Sequence, residues 1–101
     1  MRSYLICDDE DILIGMRLAG IEGAIAKTRE ETLEVFERVV SDSNIGIVIV
    51  TEKTLSRAEE EIMKVKLEKD YPLIIAIPGK GEEKREDYID RYIRESIGIK
   101  V

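Results

Sequence analysis

Ile45-Gly46-Ile47-Val48-Ile49-Val50 is an unbroken apolar run, rich in β-branched residues. It is too short for a typical helix and suits a strand buried on both faces, as in parallel sheets. Leu73-Ile74-Ile75-Ala76-Ile77 has the same character and predicts a second fully buried strand, ending at Pro78-Gly79-Lys80-Gly81. Between them, residues 51–69 predict one helix with Leu55, Ala58, Ile62 and Val65 on one stripe, stopped by Asp70-Tyr71-Pro72.

The same alternation continues upstream. Tyr4-Leu5-Ile6-Cys7 predicts a first strand, ending at the acidic run Asp8-Asp9-Glu10-Asp11. Residues 12–19 predict a helix with Gly15 inside it, where glycine costs about 1 kcal/mol against alanine; close backbone packing or an irregular turn would account for it. Residues 23–27 predict a short, weak strand. Thr28 and Glu31 form a capping-box pattern, with Leu33, Phe36 and Val40 at helical spacing behind it and Glu34, Glu37 and Arg38 outward. Downstream, residues 82–97 predict a last helix in which Ile89, Ile93 and Ile97 recur every four residues beside Tyr88 and Tyr92. Gly98 suits its left-handed C-cap, with Ile99 folding back onto Ile93.

Strand and helix alternating in this way specify right-handed βαβ units and a parallel sheet. The expected fold is a single α/β domain over residues 1–101. It has four parallel strands in the order 2-1-3-4 with helices on both faces, a Rossmann-like or flavodoxin-like arrangement. The helix at about 82–97 closes the domain and 98–101 form a short tail.

Composition narrows the function. A net charge of −6 and 38% charged residues give no electrostatic reason to seek nucleic acid or an anionic membrane, and Lys and Arg are interspersed with Glu. No apolar run approaches the roughly 20 residues of a membrane helix, so direct membrane insertion is not expected. A single cysteine gives no internal disulfide and fits a reducing, cytoplasmic setting. With no histidine, the commonest general base and metal ligand is missing. Missing glutamine and a single asparagine, Asn44, resemble a heat-adapted composition.

Three groups invite a chemical reading. The carboxylates Asp8 and Asp9 follow the first strand, where open α/β sheets place their sites and where receiver domains bind Mg²⁺. A receiver also needs a phosphoacceptor Asp after the third strand. Thr51 stands there, and Lys80 is only a partial match for the remaining receiver residue. Cys7 sits where sugar-phosphotransferase IIB domains and low-molecular-weight phosphatases place a nucleophile. Four carboxylates follow it, however, and they raise a thiol's pKa and repel phosphate. Gly79-Lys80-Gly81 lacks the span and the Ser/Thr of a phosphate loop, because Glu82 follows. The plainer reading is an acidic loop flanking a helix N-terminus, a buried structural cysteine and a turn. No catalytic residue, metal ligand or cofactor site is assigned. The competing reading is a receiver-like signalling domain without a functional phosphoacceptor.

Four segments carry a resemblance that covers nearly the whole chain: Gly15-Met16-Arg17-Leu18-Ala19-Gly20-Ile21, Gly46-Ile47-Val48-Ile49-Val50-Thr51-Glu52, Pro72-Leu73-Ile74-Ile75-Ala76-Ile77-Pro78-Gly79, and Ile93-Arg94-Glu95-Ser96-Ile97-Gly98-Ile99. In this order and spacing the sequence resembles the F subunits of archaeal-type and vacuolar-type rotary ATPases. The resemblance implies a non-catalytic subunit that docks on the coiled-coil D subunit in the central stalk. There it couples ATP hydrolysis or synthesis to proton or sodium transport, peripheral to the cell membrane. It supplies no catalytic residues to carry over. Excess apolar surface marks Arg17, Leu18, Ile21, Ile93, Ile97, Ile99 and Val101 as candidate partner contacts.

Overall fold

The computed structural model describes residues 2–79. The expected helix at 82–97, its cap and the tail, with Ile93, Ile97, Ile99 and Val101, lie outside them. In chain order the elements are β1 (Arg2–Cys7), α1 (Glu10–Leu18), β2 (Glu22–Ile25), α2 (Arg29–Val40), β3 (Ile45–Thr51), α3 (Glu52–Arg57), α4 (Glu59–Glu68) and β4 (Leu73–Ile77). The four strands make one parallel sheet in the order β2-β1-β3-β4.

Register places each side chain on a face. Tyr4, Val48 and Ile74 lie side by side, as do Ile6, Val50 and Ala76. This face carries the main core, in which Ile6, Val48, Val50 and Ile74 meet Val35, Phe36 and Val39 of α2 together with Ala58 and Ile62. Each aliphatic side chain so buried contributes about 1.5–3 kcal/mol. The opposite face carries the rows Gly23-Leu5-Ile49-Ile75 and Ile47-Leu73. Only α1 among the described helices covers it, and it does so over β1 and β2. The register shifts by one residue at Gly46, so Ile45 and Val48, an odd number of residues apart, both reach the core.

Four local expectations change. Residues 51–69 form two helices rather than one, broken at Ala58, whose φ and ψ are −137° and 39°. The charges match two helix dipoles: Arg57 ends α3, and Glu59, Glu60 and Glu61 open α4. Arg29 Nη1 donates to the Arg57 carbonyl at 3.0 Å, occupying an acceptor that the break leaves free.

β4 is not fully buried. Leu73 and Ile75 are 54% and 39% exposed on the α1 side, while Ile74 is buried. An aliphatic run reads the same whether one face of its strand is covered or both.

α2 turns Thr32, Val35, Phe36 and Val39 inward, leaving Leu33 and Val40 half-buried. Thr32 takes a core position because its hydroxyl donates to the Thr28 carbonyl at 2.7 Å. The capping box forms with a shift: Thr28 Oγ1 accepts from the Glu31 N–H, and Glu31 Oε1 accepts from the N–H of Lys27, one residue before the cap.

Gly15 sits in a regular stretch of α1 with open space where its side chain would be, so neither close packing nor an irregular turn explains it. At Gly23, by contrast, there is no room for a side chain. A Cβ there would lie 2.8 Å from the Leu5 carbonyl and from Leu13 Cδ1.

Candidate functional site

The C-terminal edge of the sheet gathers Cys7, Asp8, Asp9, Thr51, Thr54 and Arg57. Each side chain is engaged within the fold. Asp9 caps α1: its Oδ1 accepts from the N–H groups of Asp11 and Ile12 at 2.8 and 3.4 Å. Glu10 and Asp11 occupy the helix's first turn, where negative charge opposes the positive end of the dipole. The helix therefore begins inside the acidic run, not after it.

Asp8 Oδ2 pairs with Arg57 Nη2 at 3.0 Å, tying the end of β1 to the end of α3. Sequence spacing alone gave no signal for this pair. Among the described residues, no three Cys, Asp or Glu side chains converge in an arrangement able to hold a metal ion.

Cys7 is fully buried, and its Sγ donates to the Asp9 carbonyl at 3.4 Å. Burial pushes its thiol up from the ordinary value. The hydrogen bond to Asp9 acts against that shift, and the charges of Asp8 and Asp9 add to it. The carboxylates act in the expected direction, but loss of solvation is the larger cause. A protonated, buried thiol is a poor nucleophile.

Thr51, at the place where a receiver carries its phosphoacceptor, is buried. Its hydroxyl lies 2.8 Å from that of Thr54, also buried, so each satisfies the other. Nearby, Glu61 accepts from Arg29 Nη2, and this bond holds its carboxyl below the usual carboxylate range.

The partner-contact candidates fall differently. Leu18 is 86% exposed at the end of α1, and Arg17 beside it is exposed. Ile21 is half-buried and has a structural task. Its N–H donates to the Met16 carbonyl while the Gly20 N–H donates to that of Arg17, each at 2.9 Å, with Gly20 at φ 88°. That is the paired closure of a Schellman C-cap, with Ile21 as the residue that folds back. The sequence reading missed Ile14, four residues before Leu18 and 56% exposed. No residue of α1 is fully buried, and Ile14 and Leu18, one turn apart on the same face, expose their aliphatic side chains. No described helix is long and apolar enough to cross a membrane.

Comparison with known proteins gives one consistent result. Residues 5–96 match the family described as ATP synthase (F/14-kDa) subunit. The chain is 33% identical to the F subunit of the A-type ATP synthase of Methanothermobacter thermautotrophicus, over 95% of this chain and 92% of that one. It is 30% identical to the F subunit of the V-type ATP synthase of Thermus thermophilus, over 88% and 86%. The crystal structure of the F subunit of the V-type ATP synthase from Archaeoglobus fulgidus superposes with a TM-score of 0.65 at 25% identity, covering 75% of this chain and 95% of that one. The four-stranded parallel fold and the match across nearly the whole sequence agree: the chain belongs to the family of ATP synthase F subunits.

Proposed function

We propose that the chain is a non-catalytic subunit of the central rotor stalk of a V/A-type ATP synthase. In this reading it docks on the coiled-coil D subunit. The rotor it completes couples ATP hydrolysis or synthesis in the catalytic head to proton or sodium transport through the membrane ring. Its place is cytoplasmic, peripheral to the cell membrane within the larger complex.

The observation that carries the reading is the pairing of family membership with an exposed aliphatic helix. Among the described residues, the groups that invited chemistry, Cys7, Asp8, Asp9 and Thr51, are spent on capping, ion pairing and core packing, while Lys80 and Gly81 lie outside those residues. Ile14 and Leu18, meanwhile, project from α1 with Arg17 beside them. An aliphatic centre with a charged rim is the composition of a protein interface, and a stalk that carries torque needs one that does not shear. Arg17 is suited to pair with a carboxylate of the partner.

Co-expression with the same genome's D subunit tests this. The two should co-purify as a stable 1:1 pair, and the isolated chain should hydrolyse no ATP. Failure of the wild-type chain to bind D would remove the stalk reading.

A further inference from the structure

A glycine inside a helix costs about 1 kcal/mol against alanine, and nothing among the described residues offsets that cost at Gly15. Its backbone does not need a glycine, since Gly20 is the one described glycine with a positive φ. No atom lies within 4 Å of the place its Cβ would take, so no neighbour in the fold needs the space. Gly15 is exposed and stands in the middle of α1, away from both caps. What it gives the helix is a gap in the outer surface.

The gap lies beside the exposed aliphatic pair. Ile14 and Leu18, four residues apart and 56% and 86% exposed, form a ridge along α1. Gly15, one residue after Ile14 and three before Leu18, lies alongside it on the same outer face. Helices pack by setting such ridges into each other's grooves, with axes about 8–10 Å apart, and a glycine at the contact allows the short end of that range. We infer that Gly15 is bare to admit a helix of the partner. The partner's backbone crosses α1 at Gly15, one of its aliphatic side chains fills the gap, and Ile14 and Leu18 pack against its flank. A flat partner such as a sheet face would bridge the gap and leave it void, whereas a helix is ridged at the same four-residue spacing. Exposed Arg17, on the rim, suits a carboxylate of that helix. The inference rests on the stalk reading and refines it: Gly15 sets how closely the coiled coil of D approaches α1.

Competition for a limiting amount of D reads this. Affinity-tagged D of the same genome is co-expressed with the wild-type chain and one variant, and the captured ratio, corrected for the amounts expressed, is read by intact mass. Gly15→Ala should be out-competed about fivefold and Gly15→Leu about fiftyfold or more, because each added methyl must be forced into a packed contact. Neither should lower the melting temperature of the isolated chain, since the gap is open in the fold. Should Gly15→Leu fold poorly, Gly15→Ala decides alone. Weaker capture together with equal or greater stability is a pairing that a purely structural glycine would not give. Leu18→Glu in the same competition separates this inference from the reading beneath it. If Leu18→Glu is out-competed while the Gly15 variants are captured like wild type, α1 docks on D away from Gly15; the inference then falls and the stalk reading stands. If Gly15→Ala lowers the melting temperature, the gap is filled from within the chain and the inference falls as well. A wild-type chain that D does not capture removes both.

Discussion

Arg57 and Asp8 meet at 3.0 Å across the C-terminal edge of the sheet, joining the last turn of α3 to the residue that follows β1. Both side chains are mostly, but not wholly, withdrawn from water, at 30% and 20% exposure. The pair should therefore exceed a surface ion pair while staying below a fully buried one. A double-mutant cycle with Arg57→Ala and Asp8→Ala, read by urea unfolding, should give a coupling of about 1 kcal/mol. A coupling near zero would mean that the contact only marks proximity.

Thr51 and Thr54 form a buried hydroxyl pair with a testable asymmetry. Thr54→Val leaves the Thr51 hydroxyl buried without a partner and should cost about 1–3 kcal/mol. Adding Thr51→Val removes the orphan and should recover part of that loss. Equal or additive losses in thermal melts would show that the two hydroxyls do not depend on each other.

Cys7 gives a pH dependence of definite sign. Its folded thiol titrates above the ordinary 9.0. Below that value both folded and unfolded chains hold the proton, and the group adds no slope. As pH rises past it, the unfolded chain releases a proton that the folded chain keeps, so stability falls. Between about pH 8.5 and 10 the wild type should lose stability more steeply than Cys7→Ala. Native thiol labelling at pH 7 should be slow and become fast in denaturant.

Gly15 and Gly23 should respond oppositely to alanine. Gly15→Ala fills open space on a regular helix and should stabilise by about 0.5–1 kcal/mol. Gly23→Ala drives a methyl against the Leu5 backbone and should destabilise by about 1–3 kcal/mol. Urea midpoints for the two variants should move in opposite directions.

Leu18 separates binding from folding. At 86% exposure, Leu18→Glu should change stability by no more than about 0.5 kcal/mol. Under the stalk proposal it should weaken capture of D at least tenfold, and Arg17→Glu should weaken it further. Unchanged capture would move the docking surface off α1.

Much of this protein is legible in one dimension. The runs at 45–50 and 73–77, alternating with amphipathic stretches, determine a parallel α/β sheet and its order, because parallel strands need crossovers and crossovers have one hand. Thr28 with Glu31 locates the start of α2, since capping is a contact between near neighbours. Family resemblance is likewise carried by the linear order of its segments. Only the tertiary structure decides the rest. Asp8 finds Arg57 across almost fifty residues. Thr32 replaces Leu33 in the core. Arg29 reaches the break at Ala58, and one face of β4 stays open while the other closes. The physical reason is common to all of these. Periodicity reports what a segment could bury, but the partner that arrives from elsewhere in the chain determines what it does bury.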